Sequence, residues 1–188
     1  GGPAPKPWEE VLTIAAPAAE RPGAAFRDAH AALAFAGGGD HEAMAKITSR
    51  LRKSAEEGNS FAREVVLPLV QGIEAFANED YTESVRLMEP VFPQLVRVGG
   101  SHAQREVFED TMLEAYIRAE QFEKAEDMLR GRLKQRESVR DNFWMGRVQS
   151  AQGQSNQAHS SFNEATKGWE AADSTAPEIV ALNNLMEV

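Results

Sequence analysis

The sequence predicts an all-α protein, an α-solenoid of about four irregular helical hairpins with a short first helix and a last helix. Apolar residues recur at helical spacing almost throughout the chain. Segments rich in Gly, Pro and Asp cut the chain into pieces of helix length. No stretch alternates with period two for long enough to make a sheet. With 188 residues and 42% hydrophobic content, the chain is large enough to bury a core.

The helices are predicted in a definite order. The first runs from about Trp8 to Ala16 and ends against Pro17, and the last begins near Pro177, where proline suits the first turn. The three prolines inside the hairpins, Pro68, Pro90 and Pro93, each remove a backbone donor and should kink or interrupt a helix. The four pairs between the first and last helices are expected at about 24–36 with 42–57, 61–78 with 82–97, 102–119 with 123–137, and 140–152 with 156–172.

The turns within the four pairs resemble one another. Each joins two apolar helices through a short polar connection: AGGGDHEA, ANEDYTES, AEQFEKAE and QGQSNQAH. Their landmark residues are His41, Tyr81, Phe122 and Ser155, which are separated by 40, 41 and 33 positions. These spacings are typical of a solenoid of helical hairpins.

The fourth pair fits the tetratricopeptide consensus best. Gly146 stands where two helices touch closely, and Gly153 stands in the turn. The third pair lacks both glycines, and the spacings near 40 exceed the usual period of about 34 residues, so the repeats are expected to be irregular. The other matching residues are Ala158, Phe162 and Ala165 in the fourth pair, and Tyr116, Phe122 and Ala125 in the third. The fold class is therefore a tetratricopeptide-like α-solenoid.

The stretch GGSHAQREVFED at residues 99–110 resembles the tetratricopeptide repeat protein 38 family. The segments AREVVLPL at 62–69, Asp28-Ala29-His30 and WEEVL at 8–12 are also similar to that family. The resemblance covers about residues 8–135 and corresponds to the second half of a longer family member. It implies a helical-repeat fold and a helical N-terminal half outside this sequence, and it implies no particular activity.

We expect two parts in the chain. Residues 1–23 form an N-terminal segment with a short helix, in which residues 1–2 are tag-derived, and residues 24–188 form the tetratricopeptide-like repeat domain. The segment GGPAPKPWEE lacks the charged-then-apolar order of a signal peptide, and no apolar run approaches the roughly 20 residues of a membrane span. The chain contains no cysteine, which suits a reducing compartment. A cytoplasmic location is expected.

The charge balance bears on the partner. The chain carries 29 acidic and 20 basic residues, a net charge of -9, whereas nucleic-acid binding depends on clustered Lys and Arg. The basic run at 129–136 closes a helix, where cations complement the negative end of the helix dipole. We therefore expect a protein or peptide partner, basic or amphipathic, with no nucleic acid and no membrane.

A basic residue followed by an acidic one opens the first helix of each pair, at residues 27–28, 63–64, 105–106 and 140–141. In helical-hairpin stacks the first helices line the concave face, so such groups can converge there. Histidine near carboxylates suits a general base, and arginine pairs suit a clamp for carboxylate or phosphate. The alternative is that these pairs are solvated or inter-helix ion pairs. The candidate binding residues are Asp28, His30, Arg63, Glu64, His102 and Arg105.

Other motifs have structural interpretations. Gly99 and Gly100 suit a left-handed helix end, and Ser101 with Gln104 makes a capping box. The tryptophans Trp144 and Trp169 are expected in the core, with partner anchoring as the alternative. The four histidines show no His-x-x-x-His spacing, so we expect no metal and no cofactor.

No phosphate loop, nucleophile elbow or paired-Cys motif appears in the sequence. We therefore predict a non-catalytic scaffold that binds a peptide or protein on the concave face of a helical repeat stack. The alternative is a small-molecule-binding or enzymatic module that uses a polar cluster around His30, His102 and Arg105. A third hypothesis is a homodimer formed through a terminal hairpin, because a repeat array exposes an apolar end wherever a capping element does not cover it.

Overall fold

The structure, a computed structural model, describes residues 8–171, 173 and 175–186. Within those ranges it contains helices, turns and bends but no strand, which confirms the predicted all-α class. Residues 1–2, which the sequence predicts to be tag-derived, and the predicted helix end at Ala172 lie outside the described residues. The helices are α1 Trp8–Glu20, α2 Ala25–Gly38, α3 His41–Glu56, α4 Leu67–Ala77, α5 Tyr81–Met88, α6 His102–Arg118, α7 Phe122–Gln135, α8 Val139–Ala151, α9 Ser155–Gly168 and α10 Pro177–Met186.

The chain divides into two compact units, residues 1–115 and 116–188. Helix α6 crosses the boundary, with its last turn in the second unit. The boundary that the sequence placed at residue 23 falls inside the first unit, where α1 packs against both α2 and α3.

Helix α1 continues to Glu20, so the prediction that it ends against Pro17 is wrong. The helical hydrogen bonds resume beyond the proline, since the Arg21 N–H donates to the Pro17 carbonyl over 3.1 Å. The reason for the continuation is packing: Ala18 and Ala19, just past the proline, are buried. Their burial offsets the hydrogen bond that Pro17 cannot donate.

Tight packing at glycines places α1 against the end of α2. A Cβ atom at Gly37 would lie 2.2 Å from the Trp8 ring, and one at Gly38 would lie 3.0 Å from the Leu12 side chain. The start of α1 therefore meets the end of α2, which makes the two helices antiparallel neighbours. In the rest of the first unit, α2 packs against α3 and α4, α3 packs against α4, and α4 packs against α5.

The four turns within the hairpins share one backbone conformation. In each, a residue with positive φ ends the first helix: Gly39 at 72°, Glu79 at 62°, Glu120 at 57° and Gly153 at 74°. The next residue donates its N–H to the carbonyl five residues earlier, over 2.8 to 2.9 Å. The second helix starts one residue later, so the landmarks His41, Tyr81, Phe122 and Ser155 are the first residues of α3, α5, α7 and α9. The predicted turn spacing is confirmed.

The prolines interrupt the regular helices as predicted. Residues Ala62–Val66 form a π-helical turn, in which the Leu67 N–H reaches the Ala62 carbonyl, immediately before Pro68. The wider turn moves a carbonyl away from the proline ring that would otherwise clash with it. After α5 the chain tightens into a 3₁₀ helix at Glu89–Val98, which carries Pro90 and Pro93.

The second unit has its own core. Helix α8 packs against α7 and α9, and α10 packs against α9. Gly146 is needed at the crossing of α8 and α9, because a Cβ atom there would lie 2.4 Å from the Phe162 ring. The half-buried Trp144 and Trp169 pack against the core, as predicted. The buried residues of this core are Phe143, Ala158, Phe162, Ala165 and Leu182.

Candidate functional site

Asp28 lies fully buried in the first turn of α2. Its Oδ2 atom accepts the Gly23 N–H over 2.6 Å, and its Oδ1 atom lies 3.4 Å from Nη2 of Arg27. Burial raises the pKa of this carboxyl, while the Gly23 hydrogen bond and the Arg27 charge oppose that rise. Asp28 thus fastens the turn before α2 to the helix.

His30 joins α2 to α6, 74 residues further along the chain. Its Nδ1 atom lies 2.8 Å from the Phe26 carbonyl and its Nε2 atom 3.3 Å from the Gln104 carbonyl. The imidazole ring contacts the Phe26 ring at a centroid distance of 4.1 Å and a tilt of 36°, and it meets the Phe108 ring edge-on at 5.0 Å. Both ring nitrogens therefore face main-chain oxygens, and the ring packs between α2 and α6.

Arg63 and Glu64 lie in the π-helical turn and are exposed. They form an ion pair with each other over 3.2 Å. A pair this exposed contributes little to stability, because water screens it. Both side chains remain accessible to a partner.

The start of α6 confirms the predicted capping box. The Ser101 N–H donates to the Gln104 side chain over 2.8 Å, and the Gln104 N–H donates to the Ser101 hydroxyl over 3.2 Å. Gly99 and Gly100 have φ values of 98° and 77°, the left-handed region that the sequence predicts. The Arg105 guanidinium donates to the carbonyls of both glycines.

His102 lies at the first position of α6, and its exposed ring pairs with Glu106 over 3.4 Å. Among the candidate residues, His30 bonds to a residue far away in the sequence. The others bond to residues within a few positions of themselves: Asp28, Arg63, Glu64, His102 and Arg105. These contacts hold turns and helix starts together.

The repeated basic-acidic pattern gives different pairs in different hairpins. Arg27 with Asp28 and Arg63 with Glu64 are adjacent ion pairs. In the fourth hairpin the buried Asp141 instead pairs with Arg132 at the end of α7, over 3.3 Å. Only one-tenth of the Arg132 side chain is exposed, so this is a buried pair between α7 and α8. Sequence reasoning missed Arg132 because it lies in a run that reads as a solvated helix end.

A stripe of mostly polar residues runs along one side of α4. Gln71, Glu74 and Asn78 recur at intervals of three and four residues and are half-buried or exposed. The opposite side of the same helix, with Leu69, Val70 and Ile73, is buried. We define the α4 stripe as Gln71, Glu74, Ala75 and Asn78. The spacing of its polar residues is the sequence signal that could have identified it.

Metal-binding and membrane-spanning features were sought in the described part of the chain. No group of three or more His, Asp or Glu side chains there is arranged to hold a metal ion. None of the helices in the described ranges is both long and apolar enough to cross a bilayer.

The class of this protein is defined by its fold. No protein-family model matches the sequence, and no solved structure matches the chain. The fold and the contacts above define the class as an all-helical protein of packed helices, with a net charge of -9 over the whole sequence.

Proposed function

We propose that this chain is a tetratricopeptide-like solenoid that acts as a non-catalytic scaffold, binding a peptide or protein on the face of its first helices. The observation that carries the proposal is the packing of the first two hairpins. Helix α2, the first helix of the first hairpin, packs on α4 in the first helix of the second hairpin. Helix α3, the second helix of the first hairpin, also packs on α4. A hairpin solenoid is expected to have these neighbours, which supports the proposal, and such stacks present an extended concave face.

The α4 stripe is the part of that face best placed for a partner. Its four side chains follow Arg63 and Glu64 along one side of the continuous helix from residue 60 to residue 77, with Asn78 just beyond its end. Residues 1–115 carry 18 acidic and 11 basic side chains, so the negative balance of the chain is concentrated in this unit. A basic or amphipathic helical partner would complement that charge. The absence of cysteine agrees with a cytoplasmic setting for such a complex.

The alternative of a small-molecule-binding or enzymatic module around His30, His102 and Arg105 has less support. Both ring nitrogens of His30 face carbonyls, and Arg105 is engaged by the turn at Gly99 and Gly100. These hydrogen bonds give His30 and Arg105 structural roles, at the contact between two helices and at a helix start. The family resemblance of residues 99–110 likewise falls on a capping box, which accounts for Ser101 and Gln104 through helix initiation.

A photo-crosslinking experiment tests the scaffold proposal. A benzoylphenylalanine residue placed at position 71 on the α4 stripe should crosslink a partner in concentrated lysate, while the same residue at Glu56, exposed on α3, should not. The captured partner is then purified and its affinity measured by calorimetry. We expect Glu74→Arg to weaken binding about tenfold and the matched charge reversal Glu56→Arg to weaken it less than about twofold. Equal effects of the two reversals would remove the α4 stripe from the binding face.

A further inference from the structure

A small cavity lies beside the buried carboxyl of Asp28 in the first unit. Its volume is about 40 Å³. The lining comes from three places in the chain: the turn before α2 and its first residues, the end of α3, and the start of the helix that carries the π-helical turn. Among its polar lining residues are Asp28, Ser54 and Asn59, and its apolar ones include Leu51, Phe61 and Val66.

The polar groups around the cavity have hydrogen-bonding capacity to spare. An ionised carboxylate offers about four acceptor positions. The Asp28 side chain is fully buried, yet its Oδ1 atom has its Arg27 donor at 3.4 Å, beyond the usual range for an N–H···O bond. The Ser54 hydroxyl accepts from Nδ2 of Asn59 over 3.2 Å. Within the described part of the chain, no hydrogen bond uses the hydrogen of that hydroxyl.

We propose that this cavity is a hydration site, in which water donates to Oδ1 of Asp28 and accepts from the Ser54 hydroxyl. A water molecule needs at least about 10–15 Å³ of such volume and two to four polar partners. The cavity of about 40 Å³ exceeds that requirement and supplies the partners. An apolar guest would leave Oδ1 of the buried carboxyl with only the long Arg27 contact, which is costly, so water is the ligand that this lining selects.

The site lies at the joint between the first two hairpins. Asp28 belongs to α2, Ser54 to α3, and Asn59 caps the helix of the second hairpin through a 3.0 Å bond from the Ala62 N–H. Bound water therefore links Asp28 of α2 to Ser54 of α3 within the first hairpin, and the direct bond from Asn59 to Ser54 continues that link to the start of the second hairpin. Such bridges are nearly as favourable in enthalpy as direct hydrogen bonds.

Two measurements on the full chain test the hydration site. A crystal structure at about 1.5 Å resolution should show density within hydrogen-bond distance, about 2.6 to 3.2 Å, of both Oδ1 of Asp28 and Oγ of Ser54. Water-selective NMR should show cross-peaks from long-lived water to the amides of Gly23 and Ala62, which line the cavity. A cavity without density, or a peak coordinated at metal–oxygen distances, would overturn the proposal.

Variants at Ser54 distinguish cross-peaks that come from bound water from cross-peaks that come from the exchangeable proton of the Ser54 hydroxyl. In Ser54→Ala the hydroxyl is gone, so cross-peaks that persist at the Gly23 amide come from water held by Asp28. Ser54→Val fills the cavity with apolar atoms and should abolish the cross-peaks. A dispersed amide spectrum checks that each variant is folded. If Ser54→Val fails that check, the density in the unmodified chain and the Ser54→Ala spectrum still decide the question.

Discussion

The four hairpin turns make a quantitative prediction, because two of them place glycine in the left-handed conformation and two place glutamate there. In the second unit these residues are Gly153 at φ 74° and Glu120 at φ 57°. A Cβ atom at Gly153 would meet no atom within 4 Å, so replacing it by alanine introduces backbone strain without a clash. The cost of Gly153→Ala should therefore be conformational, about 1 kcal/mol of unfolding free energy.

The reverse change should stabilise the other turn. Glu120→Gly relieves a left-handed penalty of roughly 1–2 kcal/mol and adds roughly 0.5–1 kcal/mol of chain entropy cost, for a net gain of about 0.5–1 kcal/mol. Gly131, in the interior of α7, is the matched control, because a Cβ atom there also meets nothing within 4 Å while its φ is not positive. Gly131→Ala should stabilise by about 0.5–1 kcal/mol.

Native-state hydrogen exchange of buried amides in α8 and α9 measures these changes in the second unit alone. A loss of about 1 kcal/mol raises the exchange rate about fivefold, and a gain lowers it correspondingly. The reasoning predicts opposite signs for alanine at positions 153 and 131. If Gly153→Ala is neutral or stabilising, residue 153 does not adopt the left-handed conformation, and the shared turn geometry is refuted.

Three further predictions concern single positions. Ser101→Ala removes the acceptor for the Gln104 N–H and should cost about 1 kcal/mol in urea unfolding, and a loss of less than a few tenths would contradict the cap. Gly146→Ala forces its new methyl group against the buried Phe162 ring and should cost about 1–3 kcal/mol by the same assay; an unchanged midpoint would mean that α8 and α9 do not cross there. For Asp28, burial raises the pKa of the carboxyl above its ordinary 3.8, so the native state binds this proton more tightly than the unfolded chain does. The native state therefore loses stability as the pH rises from below 3.8 through the raised pKa. Asp28→Asn keeps a side-chain oxygen for the Gly23 N–H, so the variant's Tm relative to the unmodified chain should be higher at pH 7 than at pH 3.5; a constant difference would refute the burial effect.

The sequence predicted the features that depend on neighbouring residues. The capping box at Ser101 and Gln104 and the left-handed glycines before it are satisfied within four residues. The turn landmarks fall on the first residues of four helices, because each turn needs only a left-handed residue and a hydrogen bond spanning five positions. Proline acts on its own helix, so its positions also indicated where regular α-helix would stop. The exception is Pro17, where the burial of Ala18 and Ala19 outweighed the lost hydrogen bond.

The candidate site depended on contacts that the sequence does not encode locally. His30 reads as a free polar group of a first helix, yet α6 brings the Gln104 carbonyl and the Phe108 ring against it. Asp28 and Asp141 occupy equivalent places in their repeats, but Asp141 pairs with Arg132 of α7.

The sequence by itself determined that the chain is helical and where its hairpins turn, because backbone hydrogen bonds close over a few residues. Only the tertiary structure decided which polar side chains lie against another helix and which face water, because that depends on elements far away in the chain. His30 contacts α6, and Asn78 at the end of the α4 stripe is exposed, for that reason.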